Sequence, residues 1–211
     1  MRIDGKDVAA VFAQPKERQE AGVPPAWDSY VSVEDADAMA DKVKELGGNV
    51  IMEPFDVMGD LGRMTYVQDP QGAFVAMWQP KTNIGAGVVN TPGSLTLNQL
   101  NTSDPEGAGR FYGELFGWSV ERQSEDAGQP YWGLFNDGAL NGGMMQLPEG
   151  AGQSHWLAYF GSGDLDASTK RVNELGGKVV VPPMVIPAGR FAVAQDPQGA
   201  FFAMFEGQFD D

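Results

Sequence analysis

The chain holds a single histidine, His155, and no cysteine, and these two facts bound its chemistry. Histidine is the side chain whose unperturbed pKa lets it exchange a proton between about pH 5 and 8, so His155 is the candidate general base. A lone histidine on a strand also serves as a hydrogen-bonded structural residue, and both readings stand. Without cysteine there is no disulfide, thiolate nucleophile or thiolate metal ligand. Catalytic zinc takes about three protein ligands and one open position. An iron centre of two histidines and one carboxylate needs a second histidine that the chain lacks. No phosphate loop, nucleophile elbow or Ser/His/Asp arrangement is present. Tyr159 shares the stretch HWLAYF with His155, and its counterpart is Tyr30; each can donate a hydrogen bond to a ligand or simply fill a core. Arg63 and Arg190 both follow a glycine just before a strand, which suits pairing with a carboxylate or holding an anion.

The elements that must position these groups occur twice. GRMTYVQDPQGAFVAMWQP (Gly62 to Pro80) returns as GRFAVAQDPQGAFFAMFEG (Gly189 to Gly207), identical at 11 of 19 positions. Upstream, Pro25 to Gly48 is echoed by Ser154 to Gly177. A repeat of that length means duplicated domains, not a short-period solenoid. In the second copy HWLAYF reads as a strand. DLDASTKRVNELGG reads as a helix with Asp164 as N-cap, Leu165, Val172 and Leu175 on one face, and Gly176–Gly177 as the C-terminal stop. KVVVPP reads as a strand stopped by its prolines, RFAVAQ as another, and the turn DPQG leads into AFFAMF. The first copy follows the same order.

A third unit runs from Ser94 to about Pro148. LTLNQLNT reads as a strand, and Ser103 or Asp104 caps PEGAGRFYGELFGW, whose Pro105 suits a first helical turn. YWGLF and ALNGGMMQLP form a hairpin around Asn136-Asp137-Gly138, with room for another strand around WSVERQ. Ile3 to Pro15 aligns with Asn136 to Pro148, Asp-Gly on Asp-Gly and Pro on Pro. On that alignment the chain opens on the closing strand of a unit whose strand and helix, roughly 40–50 residues by analogy with the third unit, are absent. The predicted division is an incomplete N-terminal domain (1–80), a Gly-rich linker (81–93) and a complete C-terminal domain (94–211).

The net charge of −15 and pI near 4.3 argue against nucleic-acid partners, which need Lys and Arg to displace counterions. Acidity serves solubility, or draws in cationic small molecules. Without a membrane-length apolar run or the pattern of a signal peptide, a cytoplasmic protein with no membrane partner is expected.

FYGELFGW (Phe111 to Trp118), followed by a hairpin and the paired DPQGA turns (Asp69 to Ala73, Asp196 to Ala200), resembles the vicinal oxygen chelate superfamily. That superfamily comprises glyoxalase I, extradiol dioxygenases, fosfomycin-resistance enzymes and bleomycin-binding proteins. The closest likeness is to its two-domain, glyoxalase-like bacterial subfamily. The resemblance implies an α+β fold of tandem βαβββ modules, each curling into a half-barrel, two of which enclose a cup. Only the C-terminal cup would be complete; the module at 25–80 would be left half-covered, and a second chain or an exchange of modules between chains would cover it, so a homodimer is expected.

The superfamily's metal-ligand positions fall here on Leu97, Leu157 and Ala203, and in the first copy on Asp28 and Ala76. A site improvised from Gln99 and His155 has no carboxylate, so no metal and no cofactor are expected. Inward strand parity within such a cup selects Gln99, Asn101, His155, Tyr159, Phe201 and Phe205, with Met145 or Asn141 from the hairpin. That is an aromatic and apolar concavity with a few polar groups, with His155 and Tyr159 as candidate catalytic residues. The expected function is metal-free binding of a small, largely apolar or aromatic molecule, such as an antibiotic or toxin that the protein sequesters. The alternatives are a metal-dependent lyase, isomerase or dioxygenase of the same superfamily, and an inactive fragment.

Overall fold

The computed structural model describes residues 1–14, 16, 20, 24–123 and 130–208. In chain order the described strands and helices begin with β1 (Arg2–Ile3) and β2 (Lys6–Asp7). Next come β3 (Tyr30–Ser32), α1 (Ala36–Glu45), β4 (Asn49–Val57), β5 (Gly62–Gln68) and β6 (Phe74–Pro80). A second set is β7 (Leu95–Thr102), α2 (Pro105–Phe116), β8 (Ser119–Arg122), β9 (Tyr131–Asn136) and β10 (Ala139–Gln146). The third is β11 (His155–Gly161), α3 (Leu165–Glu174), β12 (Lys178–Ile186), β13 (Gly189–Gln195) and β14 (Phe201–Gly207). The fold is α+β, built of tandem βαβββ modules.

Two compact units emerge. One comprises Asp28–Gly85 with Leu97–Trp156, the other Met1–Trp27, Ala86–Thr96 and Leu157–Asp211. In the first unit the strand orders are β3-β6-β5-β4 and β7-β10-β9-β8. Its core joins both modules: Val43, Val67, Val75 and Met77 of the one pack with Leu100, Phe111, Tyr112, Leu115, Leu134 and Met144 of the other. Burying such side chains contributes about 1.5–3 kcal/mol apiece. The helix face of the module expected to stay half-covered is thus closed over by α2.

Local chemistry sets the helix ends. Asp104, not Ser103, caps α2 by accepting from Gly107 N, with Pro105 at its first turn and Gly117 closing it at φ 77°. Asp35 and Asp164 cap α1 and α3. The Asp137-Gly138 hairpin takes φ 49° and 82°, and Asp4-Gly5 takes φ 49° and 79°, the left-handed pair of a tight two-residue turn.

β12 corrects one expectation. It is not stopped by Pro182 and Pro183 but continues through them to Ile186, with one register shift against β13 between Val179 and Val181 and another across the prolines, between Val181 and Met184. It lies at the end of the order β12-β13-β14-β11; a proline there forfeits no ladder bond on its outer side. β4 carries Pro54 in the same way, beside a shift between Met52 and Phe55.

Candidate functional site

Alternation along β7 divides its side chains. Leu100 and Thr102 are fully buried toward α2, so Gln99 and Asn101 occupy the opposite face. β10 runs parallel to β7 with Gly143 beside Gln99 and Met145 beside Asn101. β9 adds Gly133 beside Gly143 and Tyr131 beside Met145. Gln99, Asn101 and Met145, three positions expected from sequence, therefore share a face in the first unit, and His155 joins them through hydrogen bonds.

Those bonds form a string with a direction. Gln153 O accepts from His155 Nδ1 at 2.9 Å; since a carbonyl only accepts, Nδ1 carries the proton and Nε2 of the neutral ring is the acceptor. Asn101 Nδ2 then donates to His155 Nε2 at 3.3 Å, and Gln99 Nε2 donates to Asn101 Oδ1 at 2.9 Å. The lone pair that a general base or metal ligand would use is thus already engaged by Asn101. Gln99 is buried, whereas His155 is exposed at the end of the string.

Two aromatic residues on this face were not picked out from sequence. A Cβ at Gly143 would collide with the Tyr131 hydroxyl, and one at Gly133 with the Phe135 ring, so both rings lean over bare glycine backbone. The signal was legible: glycine inside a strand marks the close approach of another group, and YWG faces NGG across this hairpin.

Asn141 lies elsewhere. A register irregularity between Leu140 and Gly142 turns it to the other side, where it lines a cleft of about 560 Å³ with Asn98, Asn136 and Trp156. Val31, Val33, Leu115 and Trp118 also line that cleft and belong to, or pack on, the core of the unit. The cleft mixes these apolar side chains with polar ones, Ser29, Ser32, Glu34 and Asp35 beside the three asparagines, and Ser29 Oγ donates to Asn98 Oδ1 at 2.7 Å within it.

The second unit holds the other predicted residues. Tyr159 is buried, lies beside Ala203 in the parallel β11–β14 pair, and has its ring 6.3 Å from Phe191. Phe205 lies beside Phe191 and leans over Gly207, and Phe201 is half-exposed on the same strand face. These four rings make an aromatic face opposite the side that packs on α3.

Arg63 and Arg190 share a structural task. Arg63 pairs with Asp37 at 2.6 Å and Asp56 at 3.3 Å, and Arg190 with Asp166 at 2.9 Å. Asp37 and Asp166 are the first-turn carboxylates of α1 and α3, so each arginine braces a strand against a helix start. Hydrogen bonds from Arg63 hold the Asp37 carboxyl below the usual range; Lys81, then Arg63, does the same for Asp56. Lowered folded pKa values add stability that is present above the ordinary carboxylate pKa and lost as pH falls through the folded values. Arg63→Gln should therefore lower the urea midpoint at neutral pH, and the gap to the native chain should shrink as the solution is made acid enough to protonate Asp37 and Asp56. A gap that persists in acid would contradict this role.

Comparison with known proteins places this geometry. A family profile described as a glyoxalase-like domain matches residues 95–205, and one described as the glyoxalase/bleomycin resistance protein/dioxygenase superfamily matches residues 1–77. The chain belongs to that superfamily. It is 42% identical over 205 residues to the protein named "Putative glyoxylase CFP32" of Mycobacterium bovis, covering 97% of this chain and 78% of that one. It is 36% identical over 214 residues to the anthracycline biosynthesis protein DnrV of Streptomyces peucetius, covering 96% and 77%. Among solved structures, the 2,3-dioxygenase LapB of Pseudomonas sp. KL28 aligns with TM-score 0.59 at 18% identity, over 85% of this chain and 71% of that one. The Mn(II)-bound glyoxalase of Novosphingobium aromaticivorans aligns with TM-score 0.59 at 14% identity, over 86% and 64%. At such identities the likeness is one of fold.

Members of the superfamily with metal-bound structures raise the question of a metal here, and the donor set does not fit one. Leu157 and Ala203 are buried and apolar. His155 is engaged on both nitrogens by Asn101 and Gln153, and no carboxylate stands with it. Among the described residues no three of His, Cys, Asp and Glu gather where an ion could sit. No helix among them is long and apolar enough to cross a membrane.

Proposed function

We propose that the chain is a glyoxalase-like binding protein that takes a small aromatic or largely apolar molecule without a metal ion. The observation that carries this reading is the string Gln99–Asn101–His155–Gln153, flanked by Tyr131 and Met145. Amide and imidazole groups that satisfy one another can orient a ligand, and rings beside them give it surface to stack on. Relatives named for glyoxylase activity and for anthracycline biosynthesis fit a site for carbonyl-bearing or aromatic compounds. On this reading the net charge of −15 favours ligands that carry a positive group.

The test begins with metal. The purified protein is incubated with iron, manganese, nickel or zinc, dialysed, and analysed for bound ion. Stoichiometric retention of any of these would overturn the metal-free reading in favour of a lyase, isomerase or dioxygenase. A panel of planar aromatic amines is then screened by thermal unfolding with a chelator present. At 100 times Kd a ligand adds about 2.7 kcal/mol to stability. Asn101→Leu breaks the string at its centre and should weaken a binding hit about tenfold; unchanged affinity would move the site away from this face.

A further inference from the structure

Within the first unit, the cleft of about 560 Å³ lies on the face of β7 opposite the Gln99–Asn101–His155 string. Its size is that of a site for a small organic ligand. The inner wall is apolar: Val75, Leu115 and Trp118 are buried there, while Met39, Phe116 and Trp156 are only partly covered. The rings of Phe116 and Trp118 stand 4.7 Å apart, and the Trp156 indole is held by its bond to the Tyr112 hydroxyl. Fixed, half-covered rings are surface that a ligand would remove from water at little cost in side-chain order.

The rest of the lining is polar and carries one sign of charge. The β3–α1 connection supplies Glu34 and Asp35. Asp35 caps α1 through Oδ1, which accepts from Asp37 N and Ala38 N, so Oδ2 stays outside those bonds. Asn136 and Asn141, both exposed, come from the β9–β10 hairpin. Ser29 is only 7% exposed and donates to Asn98 Oδ1 at 2.7 Å, which fixes that amide and leaves Nδ2 as its donor. Among the described residues no lysine, arginine or histidine lines the cleft, so no wall residue neutralises the two carboxylates. A void left by imperfect packing is apolar; this one joins aromatic rings to carboxylates and amides.

We infer that the cleft is a second binding site, for a small organic cation with a flat apolar body. The ring system would lie against Phe116, Trp118 and Trp156, and its ammonium group would reach the carboxylates of Glu34 and Asp35. Asn98 Nδ2 would donate to an acceptor on the ligand. Positive charge beside aromatic faces and carboxylates adds cation–π and ion-pair attraction to the burial of the ring. A neutral ligand gains only the burial, and the acidic lining repels an anion. Asn98 and Gln99 lie on opposite faces of β7, so this site and the one proposed on the string stand or fall separately.

The experiment compares naphthylmethylammonium with naphthylmethanol, which share a ring and differ in charge, by titration calorimetry and by NMR of the indole N–H signals. In dilute buffer the cation should bind about tenfold more tightly than the alcohol, an advantage that added salt reduces. The Trp118 and Trp156 signals should shift as it binds. Glu34→Gln should bring the two affinities to within about twofold of each other. Ala38→Trp, at an exposed helix position on the wall, should block both ligands; Glu34→Gln keeps the test decisive where the bulkier change disturbs folding. No binding at about millimolar cation, equal affinity for the two probes, or an undiminished preference in Glu34→Gln would each overturn the assignment. So would cation binding that is lost with Asn101→Leu and kept with Ala38→Trp, since the ligand would then sit on the string.

Discussion

Asp69→Ala is expected to cost about 3–5 kcal/mol of stability, whereas Asp196→Ala, the same change in the other copy, costs about 1 kcal/mol. The turn sequence DPQGA is identical at the two sites, so only the surroundings differ. Asp69 is almost fully buried; it accepts from Gln71 N and Ala73 N through Oδ1 and from Tyr112 through Oδ2. Removing it strands all three donors in the core. Asp196 is half-exposed, and water can replace what its carboxylate supplies to the turn. Urea unfolding of both variants measures the difference; equal losses would mean that the Tyr112 contact contributes nothing.

Asp69 also has a pH signature. Burial raises its carboxyl pKa, against the opposing pull of the Ala73 N–H and the Tyr112 hydroxyl. A folded pKa above the unfolded one gives stability that is fully present in acid and lost as pH rises through the folded value. Asp69→Asn removes that titration. Its deficit relative to the native chain should therefore be larger near pH 4 than near pH 7.

The module order and the tight turns were legible because they rest on local chemistry. Asp caps, Pro105, the Asp-Gly hairpin and the DPQG turns each fix their own few residues, and duplication displays most of them twice. The prolines of β12 misled because their tolerance depends on strand position in the sheet, which the local sequence does not encode. Leu175 misled for a similar reason: its helical spacing marks an apolar face, but exposure depends on whether another helix arrives. Module pairing was also hidden, since a core shared by Val43 and Phe111 requires contacts between segments far apart in the chain.

For the site, strand parity correctly grouped Gln99, Asn101 and Met145, because period-two alternation survives wherever the ladder is regular. It failed at Asn141, where an irregularity beside Gly142 shifts the register and sends the side chain to the opposite face. Tyr131 and Phe135 went unnoticed since each earns its place through a glycine across from or beside it. The direction of the hydrogen bonds at His155 lay beyond sequence altogether. Only the carbonyl of Gln153 against Nδ1 decides which nitrogen keeps its lone pair.

Tyr112→Phe is expected to cost about 2–3 kcal/mol, a large effect for the loss of one oxygen atom. The ring is fully buried and makes edge-on or stacked contacts with Phe111, Phe116, Trp118 and Trp156 at 5.1–6.3 Å. Phenylalanine keeps those contacts, so neither cavity formation nor lost apolar area enters. What remains is two broken hydrogen bonds, one of them to a carboxylate. Trp156 Nε1 loses its acceptor and Asp69 Oδ2 its donor, the latter in surroundings where Asp69 is almost fully buried. Trp156→Phe removes only the outer donor and should cost about 1 kcal/mol. The two changes should be non-additive, with a coupling of about 0.5–1 kcal/mol, because once the hydroxyl is gone the indole has no partner left to lose. Phenylalanine at 112 with native-like stability would show that the hydroxyl is a passenger in the core. A full loss matched by additive single changes would instead place its effect on Asp69 alone.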